Sequence, residues 1–303
     1  MKIREDQLVK EVKDIYSGLA LVENKCIEVD RAQTAYNDSE HALTREQWQA
    51  LIALHRTLLH EHHDFFLASQ HPSANAALRR LGAKYKMPER MWRHGVHSFL
   101  ELLRTKLPAS MEYMLTYIYV AYGMVALLYE TVPVYADNWV ECLGDLGRYR
   151  MAIEDDDIRD REIWAAASRQ WYLRAISRMP TTGRLYHHLA ILARPNALEQ
   201  LFYYQKSLCV ETIFYKARES IMTLFDPVLA SLLPQSTDID TLFVAIHGML
   251  FSNSLGDSFE PTVRMFLAKL KGTEGTAGAI ASQGKEWIRS GCVDCLTTKL
   301  CVV

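Results

Sequence analysis

The segment GDLGRYR (144–150), near the middle of the chain, contains side chains that can bind a phosphate. Arg148 presents a planar fork of donors that can hold two oxygens of a phosphate, and the hydroxyl of Tyr149 can supply a further hydrogen bond. This pattern indicates a phosphate clamp. Residue types alone equally support a local arrangement in which Arg148 and Arg150 pair with the acidic run at residues 154–157.

A second group of candidate ligands is rich in histidine and comprises His55, His60, Glu61, His62, His63, Asp64 and His71. The order HEHHD (60–64) resembles a zinc-binding His-Glu-x-x-His helix, except that Asp64 replaces the last histidine. A metal-dependent hydrolase is therefore one alternative. No third ligand can be assigned from the sequence, and histidines on amphipathic helices more often bond to neighbouring helices. We assign no metal, no cofactor and no catalytic residue.

A third candidate site is the stretch 79–106, in which eight arginines and lysines face only two glutamates. The candidate nucleic-acid contacts in it are Arg79, Arg80, Lys84, Lys86, Arg90 and Arg93. Tyr85 and Trp92 are interleaved with them, so the stretch could bind RNA or single-stranded DNA through phosphate contacts and base stacking. The alternative is an ordinary solvated helix face.

Composition limits the functions that these residues can serve. The chain has 303 residues, 49% of them hydrophobic, and a formal net charge of −2. It is typical of a soluble globular protein, and recognition of a polyanion must depend on local basic patches. Residues 1–13 lack the apolar core of a secretory signal, and Cys26, Cys142 and Cys209 are scattered as in proteins of reducing compartments. The uncharged stretch 113–129 is short for a membrane span and indicates a buried helix.

The secondary structure that carries these candidate residues is predicted to be helical throughout. Nine prolines separate intervals of strong helix formers with apolar spacing of three and four, and strand patterns are nearly absent. The predicted helices are 5–24, 43–70, 74–86, 89–106, 109–131, 136–151, 157–178, 183–194, 196–209, 211–225, 237–252 and 258–270. Thr44 with Glu46 and Gln47, and Ser110 with Glu112, mark helix starts, and Asp226-Pro227 is predicted to end the helix before it.

A degenerate internal repeat between residues 140 and 210 has the spacing of a tetratricopeptide unit. Tyr172 and Ala175 recur as Tyr204 and Ser207 at an interval of 32 residues. The fold class is therefore predicted to be an all-α solenoid that offers a concave face to extended partners. Residues 271–303, with Cys292, Cys295 and Cys301, change character and are predicted to be a poorly packed tail.

Three blocks occur together in this chain: ECLGDLGRYR (141–150), GRLYHHLAILA (183–193) and FYYQKSL (202–208). They resemble the family of ever-shorter-telomeres and SMG nonsense-mediated-decay factors, and the resemblance covers roughly residues 5–270. The segments FFLASQHP (65–72) and MWRHG (91–95) resemble the fungal branch of that family.

The resemblance implies a 14-3-3-like domain of tetratricopeptide character over 1–180, followed by helical hairpins of a DNA/RNA-binding type over 181–270. It also implies a scaffold without catalysis, nuclear or cytoplasmic, that acts in mRNA decay or at telomerase. Its expected partners are a phosphorylated helicase-type decay factor or telomerase component, RNA or single-stranded DNA, and a second 14-3-3-like domain for dimerisation.

The phosphoserine pocket of that family carries over residue by residue. Arg148 and Tyr149 match its arginine-tyrosine pair, and Arg56 is the best match for a basic residue on an earlier helix. His187 stands where the pocket has an asparagine, so the mode of peptide binding is expected to differ there.

Overall fold

Capping side chains mark the starts of some helices of this chain, and apolar spacing determines which faces the helices bury. The computed structural model describes residues 5–35, 43–230 and 238–273. Within these ranges the chain is a helical array without a β-strand, as the sequence predicts. Contacts divide it into two units, Met1–Trp171 and Tyr172–Val303, whereas the domain boundary was predicted at 180/181.

The first unit contains α1 (Glu5–Ala35), α2 (Arg45–Ser69), α3 (Ala76–Arg79), α4 (Leu81–Lys84), α5 (Met87–Arg90), a π-helix (Met91–His97), α6 (Ser98–Thr105), α7 (Met111–Thr131), a 3₁₀ turn (Pro133–Tyr135), α8 (Ala136–Ala152) and the start of α9 (Ile158–Arg178). The second unit contains the end of α9, α10 (Gly183–Leu192), α11 (Ala197–Cys209), α12 (Ala217–Ser220), α13 (Met222–Ala230), α14 (Ile239–Phe251) and α15 (Phe259–Thr273).

Helix α2 is the centre of the first unit and begins as its sequence predicts. The backbone N–H of Gln47 donates to the Thr44 hydroxyl, and the Gln47 side chain accepts from the Thr44 N–H, which completes a capping box. Farther along α2, Phe65 and Phe66 are fully buried. The ring of Phe66 packs edge-on against Trp139 of α8, so α2 and α8 share one core.

Asp30 ties three helices of the first unit together. One oxygen of its buried carboxylate lies 3.0 Å from Nε2 of His55 on α2, and the other accepts the Ser98 hydroxyl of α6 at 2.7 Å. The prediction that α1 ends at residue 24 is therefore wrong, since the helix continues to Ala35 and carries Asp30 to this position.

Helix α7 is the one described helix long and apolar enough to cross a membrane by length and composition. Its buried positions recur at the spacing of a helix face: Met114, Tyr117, Ile118, Ala121, Met124, Val125 and Leu128. This face packs against α2, α6 and α8, as that of a core helix does. Ser110 precedes α7, but its hydroxyl bonds to the carbonyl of Leu103 and does not cap the helix.

The stretch 74–106 is more broken than predicted. In place of two helices it forms four short α-helices interrupted by the π-helix. The carbonyl of Gly95, inside the π-helix, accepts the Tyr117 hydroxyl of α7. This tertiary contact has no signature in the local pattern, and the wider turn of a π-helix changes which side chains align along it.

The second unit departs from prediction around residues 211–216, which are not helical. The N–H of Gly183 donates to the Thr212 carbonyl, and the N–H of Thr212 donates to the Thr181 carbonyl, so the two segments form a single parallel bridge. The backbone groups needed for a helix are thereby used elsewhere. Pro227 also lies inside α13, and the helix that it was predicted to end continues to Ala230.

The repeat positions are buried on the helices that carry them. Tyr172 and Ala175 on α9, and Tyr204 and Ser207 on α11, are each fully inaccessible to solvent. Small and aromatic residues at these offsets are those through which tetratricopeptide helices pack. Residues 271–273 of the predicted tail still belong to α15, and the remainder, with Cys292, Cys295 and Cys301, lies outside the described residues.

Candidate phosphate-binding cluster

Close packing of α8 against α9 fixes the direction in which Arg148 and Tyr149 leave the helix. The carbonyl of Gly144 accepts the Ser168 hydroxyl at 2.7 Å, and a Cβ at Gly147 would lie 3.1 Å from the Cβ of Ser168. One face of α8 is thus occupied by α9. Since successive side chains on a helix are about 100° apart, Tyr149 leaves on nearly the opposite side from Gly147.

Tyr149 reaches the elements upstream of α7. Its hydroxyl lies 2.7 Å from Oε1 of Glu101 on α6 and 2.9 Å from Nδ1 of His97, the last residue of the π-helix. Burial, together with the hydrogen bond to the negative Glu101, raises the pKa of Tyr149 well above its ordinary value. The phenol therefore stays protonated at neutral pH and can act as a donor.

Two guanidinium groups complete this cluster. Nη2 of Arg148 lies 2.9 Å from Oδ1 of Asp145, and its guanidinium carbon is 5.5 Å from the centre of the Tyr149 ring. Arg104 donates to Oε2 of Glu101 through Nε at 3.1 Å and Nη2 at 2.6 Å. Burial opposes ionisation of Glu101, but the hydrogen bonds from Arg104 and Tyr149 outweigh it and hold the pKa of Glu101 below its ordinary value.

We call this set the arginine-tyrosine cluster; it consists of His97, Glu101, Arg104, Asp145, Arg148 and Tyr149. The sequence is compatible with pairing of both Arg148 and Arg150 with the acidic run at residues 154–157. In the structure Arg150 does pair with this run, through Glu154 at 2.7 Å. Arg148 pairs with Asp145 one turn earlier. The two neighbouring arginines therefore have different roles, and Arg148 belongs to a partly exposed polar cluster.

The remaining predicted pocket residues lie in separate settings. Arg56 is exposed on α2, next to the buried His55. His187 belongs to the second unit, where Nε2 lies 3.0 Å from the Ser220 hydroxyl and the ring packs 4.9 Å from that of Phe214. His187 is therefore part of a buried local arrangement. The roles of Arg56 and His187 in phosphate binding stay predictions.

Five of the six predicted nucleic-acid contacts are exposed: Arg79, Arg80, Lys84, Lys86 and Arg93. Arg90 differs, because it donates to both carboxylate oxygens of the buried Glu23 and to the Tyr16 hydroxyl. Its charge is therefore largely neutralised within the fold. We call the five exposed residues the basic segment.

The histidine-rich segment of α2 does not gather three potential metal ligands among the described residues. His60 is exposed, and His63 contacts the neighbouring Asp64 at 3.2 Å. His62 points the other way and is buried. Burial, with the nearby charges of Arg90 and His94, lowers the pKa of His62 to about 3. These positions support a core role for His62.

Sequence reasoning missed His97, Glu101, Arg104 and Asp145 as members of the cluster around Arg148. The one local signal was spacing: Glu101 precedes Arg104 by three residues, and Asp145 precedes Arg148 by three, as in helical ion pairs. That the Tyr149 hydroxyl meets Glu101, which is 48 residues away, depends on the tertiary fold of the first unit.

Comparison with known proteins finds a matching domain model and several similar proteins. Residues 168–271, from α9 to α15, match the model of the Est1 DNA/RNA binding domain. EST/SMG-like protein 2 of Saccharomyces cerevisiae is 20% identical over 73% of this chain. Telomerase-binding protein EST1A of Danio rerio is 33% identical over 30% of it, and nonsense-mediated mRNA decay factor SMG7 of Arabidopsis thaliana is 38% identical over 28%.

The matches cover 18%, 6% and 8% of those three relatives, so the chain spans less than a fifth of their length. The domain match coincides with the region in which two of the three sequence blocks lie, residues 183–193 and 202–208. The similarity to the yeast relative is longer than the domain match and extends over 229 residues. Residues 168–271 thus match the Est1 DNA/RNA binding domain, and the chain is similar to proteins of the Est1/SMG family.

Proposed function

We propose that this chain is a non-catalytic adaptor of nonsense-mediated mRNA decay or telomerase regulation, and that it binds a phosphorylated protein segment at the arginine-tyrosine cluster. The observation that carries the proposal is the joint position of Arg148 and Tyr149. A guanidinium group and a phenol that stays protonated lie side by side at a partly exposed site. Both are donors suited to phosphate oxygens.

The family adds support for the cellular role, because one relative is named as a telomerase-binding protein and another as a decay factor. Both roles concern the nucleus and cytoplasm, where we expect the chain to act. The chain also carries a domain named for DNA and RNA binding. An adaptor that binds a phosphoprotein and a nucleic acid fits these observations together.

Replacing Arg148 with glutamate tests the phosphate site. A phosphoserine peptide enriched from a library by the wild-type chain should bind at least about tenfold more weakly, because a charge-assisted donor worth roughly 1.5 to 3 kcal/mol becomes a repelling charge. Fluorescence anisotropy with the labelled peptide measures the change. Arg161→Glu makes the same charge change at an exposed residue that pairs with Asp155. Equal effects of the two variants would contradict the site.

A second candidate function is binding of RNA or single-stranded DNA by the basic segment. Tyr85 is 40% exposed, and the Lys84 ammonium lies 5.4 Å from the centre of its ring. An exposed aromatic ring among basic side chains is the arrangement that stacks bases and pairs phosphates.

Salt titration with a single-stranded oligonucleotide tests the basic segment. Neutralising Arg79, Arg80, Lys84 and Lys86 to glutamine should reduce the slope of log affinity against log salt by roughly 0.7 for each phosphate that these side chains neutralise in the wild type. Arg148→Glu should leave the slope unchanged. If the fourfold variant binds like the wild type, the nucleic acid must bind elsewhere, and residues 168–271 become the first region to examine.

A further inference from the structure

Glu101 occupies the position of an anion within the arginine-tyrosine cluster. Its Oε1 faces the Tyr149 hydroxyl at 2.7 Å, and its Oε2 accepts from Arg104 at 2.6 and 3.1 Å. Each carboxylate oxygen therefore has its own donor. A phosphate, which also presents two or more oxygens at one face, could use the same donors from the same position.

The hydrogen-bond directions in this arrangement follow from proton count. Tyr149 has one hydroxyl proton, and Glu101 is held ionised by its neighbours, so the phenol donates to Glu101. The remaining contact, with Nδ1 of His97 at 2.9 Å, then requires the imidazole to donate to the phenol oxygen. His97 therefore orients the hydroxyl toward the anion position and acts through Tyr149.

The cluster is open to a ligand on the side of α6. The Arg104 side chain is 57% exposed and the Glu101 side chain 35%, whereas Asp145 on the other side is 12% exposed. Glu101 can leave by rotation of its own side chain, since it lies on the helix surface. Asp145 is more enclosed and is suited to keep Arg148 in place.

We infer that Arg104 is a second phosphate-binding arginine of this site, that His97 positions Tyr149, and that Glu101 is an exchangeable counterion which a phosphate replaces. The inference rests on the proposed phosphopeptide function and specifies how that site works. When a phosphate binds, Tyr149 and Arg104 exchange their hydrogen bonds to the Glu101 carboxylate for hydrogen bonds to the phosphate. Glu101 then competes with every ligand that enters.

This exchange makes the site selective for phosphate over a carboxylate side chain. A phosphoserine carries up to two negative charges and three acceptor oxygens, which is more than Glu101 offers. A glutamate or aspartate in the peptide brings one charge and two oxygens, the same as the group that it must displace. Substituting such a residue for phosphoserine should therefore not restore binding.

Three variants measured with the enriched phosphoserine peptide test the inference. Glu101→Gln should bind about tenfold more tightly than the wild type, because the internal competitor loses its charge, and Arg104→Gln about tenfold more weakly.

His97→Phe should weaken binding in the wild-type background but not when Tyr149 is already phenylalanine, since His97 acts through the Tyr149 hydroxyl. The glutamate form of the peptide should bind Glu101→Gln detectably and the wild type not at all. Matched controls are Glu260→Gln and Arg264→Gln, which alter an exposed ion pair of the same kind on α15.

The outcomes separate this inference from the proposed function. If Arg148→Glu abolishes binding while Glu101→Gln and Arg104→Gln match the wild type, the exchange is wrong and the phosphate site stands. If neither the wild type nor Glu101→Gln enriches any phosphopeptide over its unphosphorylated form, both the exchange of Glu101 and the proposed phosphopeptide function are wrong. Should inorganic phosphate compete as well as the peptide does, the bound group is a free phosphate and the peptide assignment is overturned.

Discussion

Replacing Gly183 with alanine is expected to destabilise the second unit by about 3 kcal/mol or more, a large fraction of the stability of an ordinary domain. An added Cβ would lie 2.4 Å from the Ser207 carbonyl oxygen, 2.7 Å from that of Thr212 and 2.9 Å from the Phe214 nitrogen. All three are backbone atoms, which cannot rotate away as a side chain can. Relief therefore requires separation of the bridge between residues 182 and 212.

Hydrogen exchange followed by mass spectrometry measures this effect where it occurs, in peptides from α10 and α11. Gly123→Ala is the matched control, because nothing lies within 4 Å of a Cβ at that position. In the middle of α7 that substitution should stabilise by roughly 0.5 to 1 kcal/mol through helix propensity. Unchanged exchange in α10 and α11 of Gly183→Ala would show that the close approach of these segments is not required.

Acidification from about pH 7 to pH 5 is expected to reduce the free energy of unfolding of the first unit by about 2 kcal/mol through His62 alone. Burial, with the charges of Arg90 and His94, lowers the pKa of His62 from an ordinary 6.5 to about 3. Below pH 6.5 the unfolded chain binds a proton at this residue and the folded chain does not. Stability is therefore full above pH 6.5 and falls as the pH decreases toward 3.

His62→Leu removes this dependence and should also raise stability at neutral pH, because neither ring nitrogen of His62 has a hydrogen-bond partner among the described residues. An unsatisfied buried polar group costs roughly 1 to 3 kcal/mol. Urea unfolding at both pH values, with hydrogen exchange read from α2 peptides, measures both effects. The control is His60→Leu at an exposed position of the same helix. A wild-type slope that persists in His62→Leu would refute the assignment.

Much of the fold follows from local patterns in the sequence. The Thr44 to Gln47 capping box forms as predicted, and the apolar spacing in 109–131 predicts α7 to within two residues. Such features depend on neighbours within about four residues, which the sequence displays directly. The repeat pair Tyr172 and Tyr204 is also buried, since the offsets of a helical repeat encode the packing of its own helices.

Other features depend on contacts that the sequence does not display. Residues 211–216 are predicted to be helical, but Thr212 pairs with Thr181 and Gly183 instead. Glu101 and His97 join Tyr149 through side-chain contacts between segments that are far apart in the sequence. Arg148 and Tyr149 could be selected by residue type and family resemblance. Glu101 and His97 come from positions 48 and 52 residues away along the chain and become visible only in the folded protein.

The carboxylate of Asp30 has a consequence for how this fold can change over time. It serves His55 and Ser98 at once, and all three groups lie in or at the edge of the core. Losing one member leaves the others with unmatched polar atoms away from water, which is more costly than losing all three together. We therefore expect positions 30, 55 and 98 to change together. Either all three polar residues are retained, or all three are replaced by apolar residues.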